Sequence, residues 1–235
     1  MDAHLSALAR TEPDAAGRLR PVAPGLWATP DEVLGGPAMT CGFLLQRPDG
    51  NVFVYSSNRI AEYFTHIDEL GGVARVLLNH QDEATRFVTV LADHYNAPVH
   101  AHALEVEACT ANGVASIESF DEDRTFGEDL EAFHLPGHTP GTTAYLWTNR
   151  ADDRRYLFTG DTFTNFTVDN FPAVLGFHRY DGNVEAARAS LRRLRDIESD
   201  VLVPGLANGT LHAYTWTEHE RHTLVDYTLQ QIADL

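Results

Sequence analysis

Short apolar runs separated by turn residues fill the first third of the chain. Residues 26–29, 41–46 and 51–55 each have the length and apolar content of a strand. Arg47-Pro48-Asp49-Gly50, between the last two, predicts a hairpin turn. Ser57 or Asn58 is placed to cap a helix running to about residue 70, where Gly71-Gly72 stops it. Residues 73–78 are nearly all apolar, as in a strand covered on both faces. Helical spacing follows over 83–95, with Ala84, Phe87, Val88, Leu91 and Tyr95 on one face. A short strand at 98–100 and a helical turn around 104–108 complete this half.

The second half repeats the theme. An acidic, turn-rich stretch at 121–128 leads into strands at 130–135, 143–148 and 155–159. A helix starting near Asp181 or Asn183 buries Val184, Ala187, Leu191 and Leu194 and turns its arginines to water. Residues 201–203 form a buried strand ended by Pro204-Gly205. Thr217 and Glu220 make a capping box for a last helix with the apolar line Val225, Leu229, Ile232. Strands, helix, strands, helix, twice over, suits an α/β (α+β) architecture: a four-layer α/β/β/α sandwich. With residues 1–21 as a loose or helical leader, residues 22–235 form a single domain.

Composition narrows the partners. The net charge is −17, and all 17 basic residues are arginine. Such a surface argues against nucleic acid and against an anionic membrane as partner. No run approaches the ~20 apolar residues of a membrane span, and the first 20 residues lack a signal-peptide core. Cys41 and Cys109 form no paired motif, so they read as buried small hydrophobes and a reducing cytoplasm is expected.

The candidate chemistry lies at two junctions. Leu135-Pro136-Gly137-His138-Thr139-Pro140-Gly141-Thr142 surrounds one histidine with turn formers, and Phe158-Thr159-Gly160-Asp161-Thr162 closes an apolar run on an aspartate. An imidazole and a carboxylate at strand ends are metal-ligand types. After the strand at 73–78 comes Asn79-His80-Gln81-Asp82-Glu83-Ala84-Thr85, whose His-x-Asp adds two more. The structural alternative is that Asp82 caps the following helix and His80 is merely a polar strand end.

GHTPG with TGDT resembles the metallo-β-lactamase superfamily, and the junction at His80 falls where that family carries H-x-H-x-D-H. The resemblance implies the sandwich fold. It places His80 on the motif's first histidine, Asp82 on the second, Ala84 on the aspartate and Thr85 on the third. His138 falls on the next ligand, Asp161 on the carboxylate that bridges two metals, and Leu206 on the histidine of a PGHG turn. One metal's set is thus His80, Asp82, His138 and Asp161, while the other's has become Ala84, Thr85 and Leu206. What the resemblance implies is a mononuclear, hydrolase-like site, with zinc ahead of iron and a small-molecule substrate. Zinc would acidify water for attack on an ester, thioester, lactone or phosphoester, with Asp82 or Glu83 as general base. Two alternatives stand beside it: a binding protein that kept the fold but lost metal and activity, and an iron dioxygenase of the persulfide dioxygenase type using His80, His138 and Asp161.

Other polar clusters carry less. His100-x-His102, and His219 with His222, have local ligand spacing but read as exposed histidines on an acidic surface. His134 reads as a strand residue facing solvent or the wall of the site. The phenylalanine-rich run at 163–178 follows Asp161 and is placed to line a pocket or to form a homodimer face, with His178 or Arg179 meeting an anionic group.

Overall fold

The computed structural model describes residues 6–7, 16–35, 38–164, 183–208 and 213–233. Most of the expected leader, His178, Arg179 and all but the first two residues of the phenylalanine-rich run lie outside these. The strands of the first half are β1 (Ser6–Ala7), β2 (Arg20–Ala23), β3 (Leu26–Ala28), β4 (Glu32–Gly35), β5 (Ala38–Thr40), β6 (Phe43–Leu45), β7 (Val52–Val54), β8 (Arg75–Leu77) and β9 (Val99–His102). Those of the second are β10 (Glu118–Phe120), β11 (Arg124–Thr125), β12 (Leu130–His134), β13 (Thr143–Asn149), β14 (Arg154–Thr164), β15 (Val201–Asn208) and β16 (Tyr214–Thr215). The helices are α1 (Phe64–Glu69), α2 (Arg86–Tyr95), α3 (Val106–Ala111), α4 (Val184–Asp196) and α5 (Glu218–Gln231).

One sheet runs β10-β9-β8-β7-β6-β3-β2; the other runs β1-β16-β15-β14-β13-β12-β11, with the β4–β5 hairpin joined to β15. Side-chain alternation then builds three apolar layers. Phe43, Leu45, Val52, Val54 and Leu77 meet Tyr145, Trp147, Tyr156, Phe158 and Val203 between the sheets. Leu146, Leu157 and Leu202 point the other way, onto Leu191 and Leu194 of α4 and Leu224 and Val225 of α5. Leu44, Phe53, Val76 and Leu78 face Ile67, Val88, Leu91 and Cys109 on α1, α2 and α3. Helices therefore cover both outer faces, giving the expected α/β/β/α order. Each sheet residue buried in these layers removes ~1.5–3 kcal/mol of apolar side chain from water.

Local signals held where the partner was near in sequence. The Arg47–Gly50 turn closes through Gly50 N–H to Arg47 C=O at 3.2 Å. Asn183 caps α4, and the Thr217–Glu220 capping box is fully formed. Cys41 and Cys109 are buried, and burial pushes the Cys109 thiol up to about 12. Among the described residues, no helix is long and apolar enough to cross a membrane.

Several local expectations need correcting. The helix expected from Ser57 begins as a 3-10 turn, Ile60–Tyr63, with no side-chain cap. Ser57 instead gives its hydroxyl proton to Glu32, whose other oxygen accepts the Asn58 N–H at 2.9 Å. Thr85, not Asp82, caps α2, accepting the Phe87 N–H at 3.3 Å. Pro204-Gly205 does not end its strand: β15 continues to Asn208, because Pro204 lies beside Gly160 where the parallel register shifts and no ladder N–H is needed. His100 and His102 are buried, not exposed.

Candidate metal centre

The site forms where the two sheets meet at one edge, and two tyrosines tie them there. The Tyr55 hydroxyl donates to the Val203 carbonyl at 2.7 Å and accepts the Gly160 N–H at 3.0 Å. From the other sheet, the Tyr145 hydroxyl donates to the Leu78 carbonyl at 2.7 Å. These bonds fix the strand segments next to His80 and Asp161, which loops alone would leave loose.

His80 follows β8 in extended backbone, and a 3-10 turn, Gln81–Glu83, brings Asp82 round beside it. The pair therefore shares a turn, not one face of a strand. Asn79 orients the imidazole. Its Nδ2 donates to the Thr143 carbonyl, which fixes its Oδ1 as the atom facing His80 Nδ1 at 3.0 Å. His80 Nδ1 must then carry a proton, which makes Nε2 the ring nitrogen directed into the site. Glu83 is buried alongside: its Oε2 accepts the Asn79 N–H at 2.5 Å and its Oε1 stands 3.4 Å from His80 Nδ1. Burial pushes the Glu83 carboxyl up, against the pull of His80 and the Asn79 N–H.

His138 stands in the turn the sequence marked. Thr139 N–H donates to Thr142 Oγ1 at 2.9 Å, and Leu135 N–H to the Thr142 carbonyl at 2.8 Å. Asp161 is not at a strand end but inside β14, directly after Gly160. Gly160 has φ +52°, and a Cβ there would lie 1.8 Å from Asn79 Oδ1. A Cβ on Gly205 would lie 2.6 Å from Asp161 Oδ1, so Gly160 makes room for Asn79 and Gly205 for the Asp161 carboxylate.

The result is one constellation. Donor atoms of His80, Asp82, His138 and Asp161 all lie within 4.8 Å of one another. His80 Nε2 is 3.7 Å from both Asp82 Oδ2 and Asp161 Oδ2, and His138 Nε2 is 3.8 Å from the same two atoms. These gaps exceed hydrogen bonds, and His80 Nε2 is buried with no hydrogen-bond partner. Ligands ~2.0 Å from a tetrahedral ion stand ~3.3 Å apart, so the four imidazole–carboxylate gaps would close by about half an ångström, and no donor pair by more than about 1.5 Å, around one ion. Two imidazoles and two carboxylates are also the donor chemistry for such an ion.

The neighbouring positions offer no second set. Ala84 is buried in the apolar layer under α2, the Thr85 hydroxyl serves as helix cap, and Leu206 is an apolar wall residue of β15. A cavity of about 330 Å³ opens over His80, Asp82 and Asp161, walled also by Thr40, Ser56, Asn58, Thr85, Asn112 and Leu206. The remaining candidate histidines stay apart from it. His102 stacks on His134 with ring centroids 3.9 Å apart, and His134 Nε2 meets the Pro140 carbonyl at 2.9 Å. His222 lies 3.9 Å from Glu218 on α5. Two residues behind the site carry no sign of that role in the sequence: Asn79, which aims His80, and Glu105, whose Oε2 accepts the Gln81 N–H at 2.8 Å.

Solved structures with this architecture include a metallo-β-lactamase from Pontibacter korlensis, 18% identical with a TM-score of 0.70, covering 93% of this chain and 99% of that one. A B3 metallo-β-lactamase with an active-site glutamic acid is 16% identical with a TM-score of 0.62, covering 87% and 89%. A Cronobacter sakazakii (Enterobacter sakazakii) metallo-β-lactamase is 16% identical with a TM-score of 0.59, covering 89% and 90%; its HARLDQ motif also departs from H-x-H-x-D-H. Among curated proteins no sequence matches. The family model described as Metallo-beta-lactamase superfamily matches residues 87–206, a span that holds His138 and Asp161 and begins just after His80 and Asp82. With more than half its length matched, the chain belongs to the metallo-β-lactamase superfamily.

Proposed function

We propose that this chain is a hydrolase working with one divalent metal, zinc before iron, held by His80, His138 and Asp161, with Asp82 as fourth ligand or general base. The observation that carries the reading is the four-donor cluster itself, with a buried His80 Nε2 aimed at carboxylate oxygens too distant to bond it. In such a site zinc supplies Lewis acidity, enough to bring the pKa of water toward ~7.

The chain's own groups do the rest. Asp82, with a third of its side chain exposed to the cavity, is placed to take a proton from attacking water and return it to the leaving group. Glu83 is the weaker candidate base, since its oxygens face Asn79 and His80 and so orient a ligand. The carboxylates of Asp82, Glu83 and Asp161 repel an anionic phosphoester and favour an uncharged ester, thioester or lactone carbonyl. Asn58, Asn112 and Ser56 line the cavity where such a substrate's polar groups would bond. The second carboxylate, Asp82, reaches both histidines and occupies coordination space that an iron dioxygenase needs open.

Metal content of untagged protein, measured by plasma mass spectrometry beside His138→Ala, tests this. About one zinc per chain, lost in the variant together with ester or lactone hydrolysis, is the expected result. Metal-free protein whose melting ignores chelator would overturn it and leave a binding protein.

A further inference from the structure

Three of the four candidate ligands come from loops in the two halves of the chain, His80 and Asp82 from the turn after β8 and His138 from the turn before β13. Loops carry the largest positional freedom in a fold, yet a metal set tolerates only tenths of an ångström. One buried side chain bridges the two turns. Glu105 ends the 3-10 turn after β9 and is fully buried. Its Oε2 accepts the Gln81 N–H at 2.8 Å, and its Oε1 accepts the Gly141 N–H at 2.6 Å. Gln81 is the residue between His80 and Asp82; Gly141 is three residues after His138.

Two further contacts belong to the same device. Gly141 lets the carboxylate come close, since a Cβ there would stand 2.6 Å from Glu105 Cγ. The Gln81 carbonyl accepts from Asn112 Nδ2 at 3.1 Å, so both backbone polar groups of Gln81 are held by the segment from 105 to 112. A buried carboxylate is costly unless charge-assisted bonds compensate it, and here both bonds go to ligand-bearing backbone.

We infer that Glu105 is a positioning residue: its single carboxylate sets the spacing between the His80–Asp82 turn and the His138 turn, and through that spacing the affinity of the site for metal. The inference rests on the one-metal reading above. It is specific to a carboxylate. A glutamine has one acceptor oxygen and would turn an NH2 group toward the other backbone N–H.

Cobalt(II) titration, with affinity from chelator competition and the visible spectrum as a report on ligand geometry, separates the outcomes. Glu105→Gln is expected to bind one cobalt with affinity weakened about 10- to 100-fold and with an altered spectrum. Asn149→Ala breaks a buried bond to the Pro24 carbonyl at the opposite end of the sandwich and controls for lost stability; it is expected to keep wild-type affinity. Glu105→Gln at wild-type affinity and spectrum, with only a lower melting temperature, would overturn the inference and leave Glu105 a structural strut. Wild-type protein that binds no cobalt would instead bring down the metal reading, and this one with it. If Glu105→Gln fails to fold, Gly141→Ala displaces the same carboxylate from the other side, and unchanged affinity there overturns the inference equally.

Discussion

The two sides of the site differ sharply in how they are supported. On the side of His80, His138 and Asp161, every candidate ligand has its own support: Asn79 and Glu83 behind His80, the threonine-braced turn around His138, and Gly205 against the Asp161 carboxylate. On the side of Ala84, Thr85 and Leu206, the same backbone positions serve the scaffold instead, as apolar core, helix cap and cavity wall. Ligation is therefore a property of a residue with its supporting shell. One side of the site has such a shell, and on the other the same positions serve the fold.

Disturbing the supported side indirectly should have the largest effect. Gly160→Ala puts a methyl group into Asn79 Oδ1 at a left-handed φ, so Asn79 must release His80. Metal affinity is expected to fall about 10- to 100-fold, read by chelator competition; undiminished affinity would show that the support behind His80 is dispensable.

Acidity sharpens the same contrast. Burial works against a charged His80, but the carboxylates of Asp82 and Glu83 and the field of Asp161 hold its pKa well above the ordinary histidine value. A folded-state pKa above the unfolded one gives stability that is complete below about pH 6.5 and is lost as pH rises through the folded value. Metal must displace that proton. Chelated protein should therefore melt lower as pH rises above neutrality, while the gap between zinc-loaded and chelated protein widens by about 1.4 kcal/mol per pH unit for each proton displaced. Calorimetry across that range checks it, and a gap independent of pH would count against His80 as a ligand.

The smallest effect belongs to the other side. Thr85→Ala should lower stability by ~1 kcal/mol through the lost cap, read by urea unfolding, and leave metal content untouched. Metal loss in that variant would erase the distinction between the two sides.

Much of this was legible in the sequence, for a physical reason. Layer order follows from side-chain period, and His138 and Asp161 stand out because turn residues and metal chemistry admit few alternatives. His80 and Asp82 were legible as residues but not in their geometry, since nothing local says that a 3-10 turn follows β8. What stayed hidden depends on distant partners. Ser57 looks like a helix cap until Glu32, 25 residues earlier, takes its hydroxyl. Glu105 reads as an ordinary acid in a helical turn; only the packing of Gln81 and Gly141 against it reveals its position. His100 and His102 looked exposed because an acidic composition says nothing about which strand is covered.

The capping hydroxyl of Thr85 also bears on the history the chain can follow from here. A two-metal site would need ligands at residues 84, 85 and 206. Thr85→His would uncap α2, and Ala84→Asp would put a carboxylate into an apolar layer. Each step lowers stability before a second ion can bind to repay it. On the one-metal reading proposed above, no single substitution builds the second site, so the scaffold itself acts as a ratchet that holds the chain at one ion.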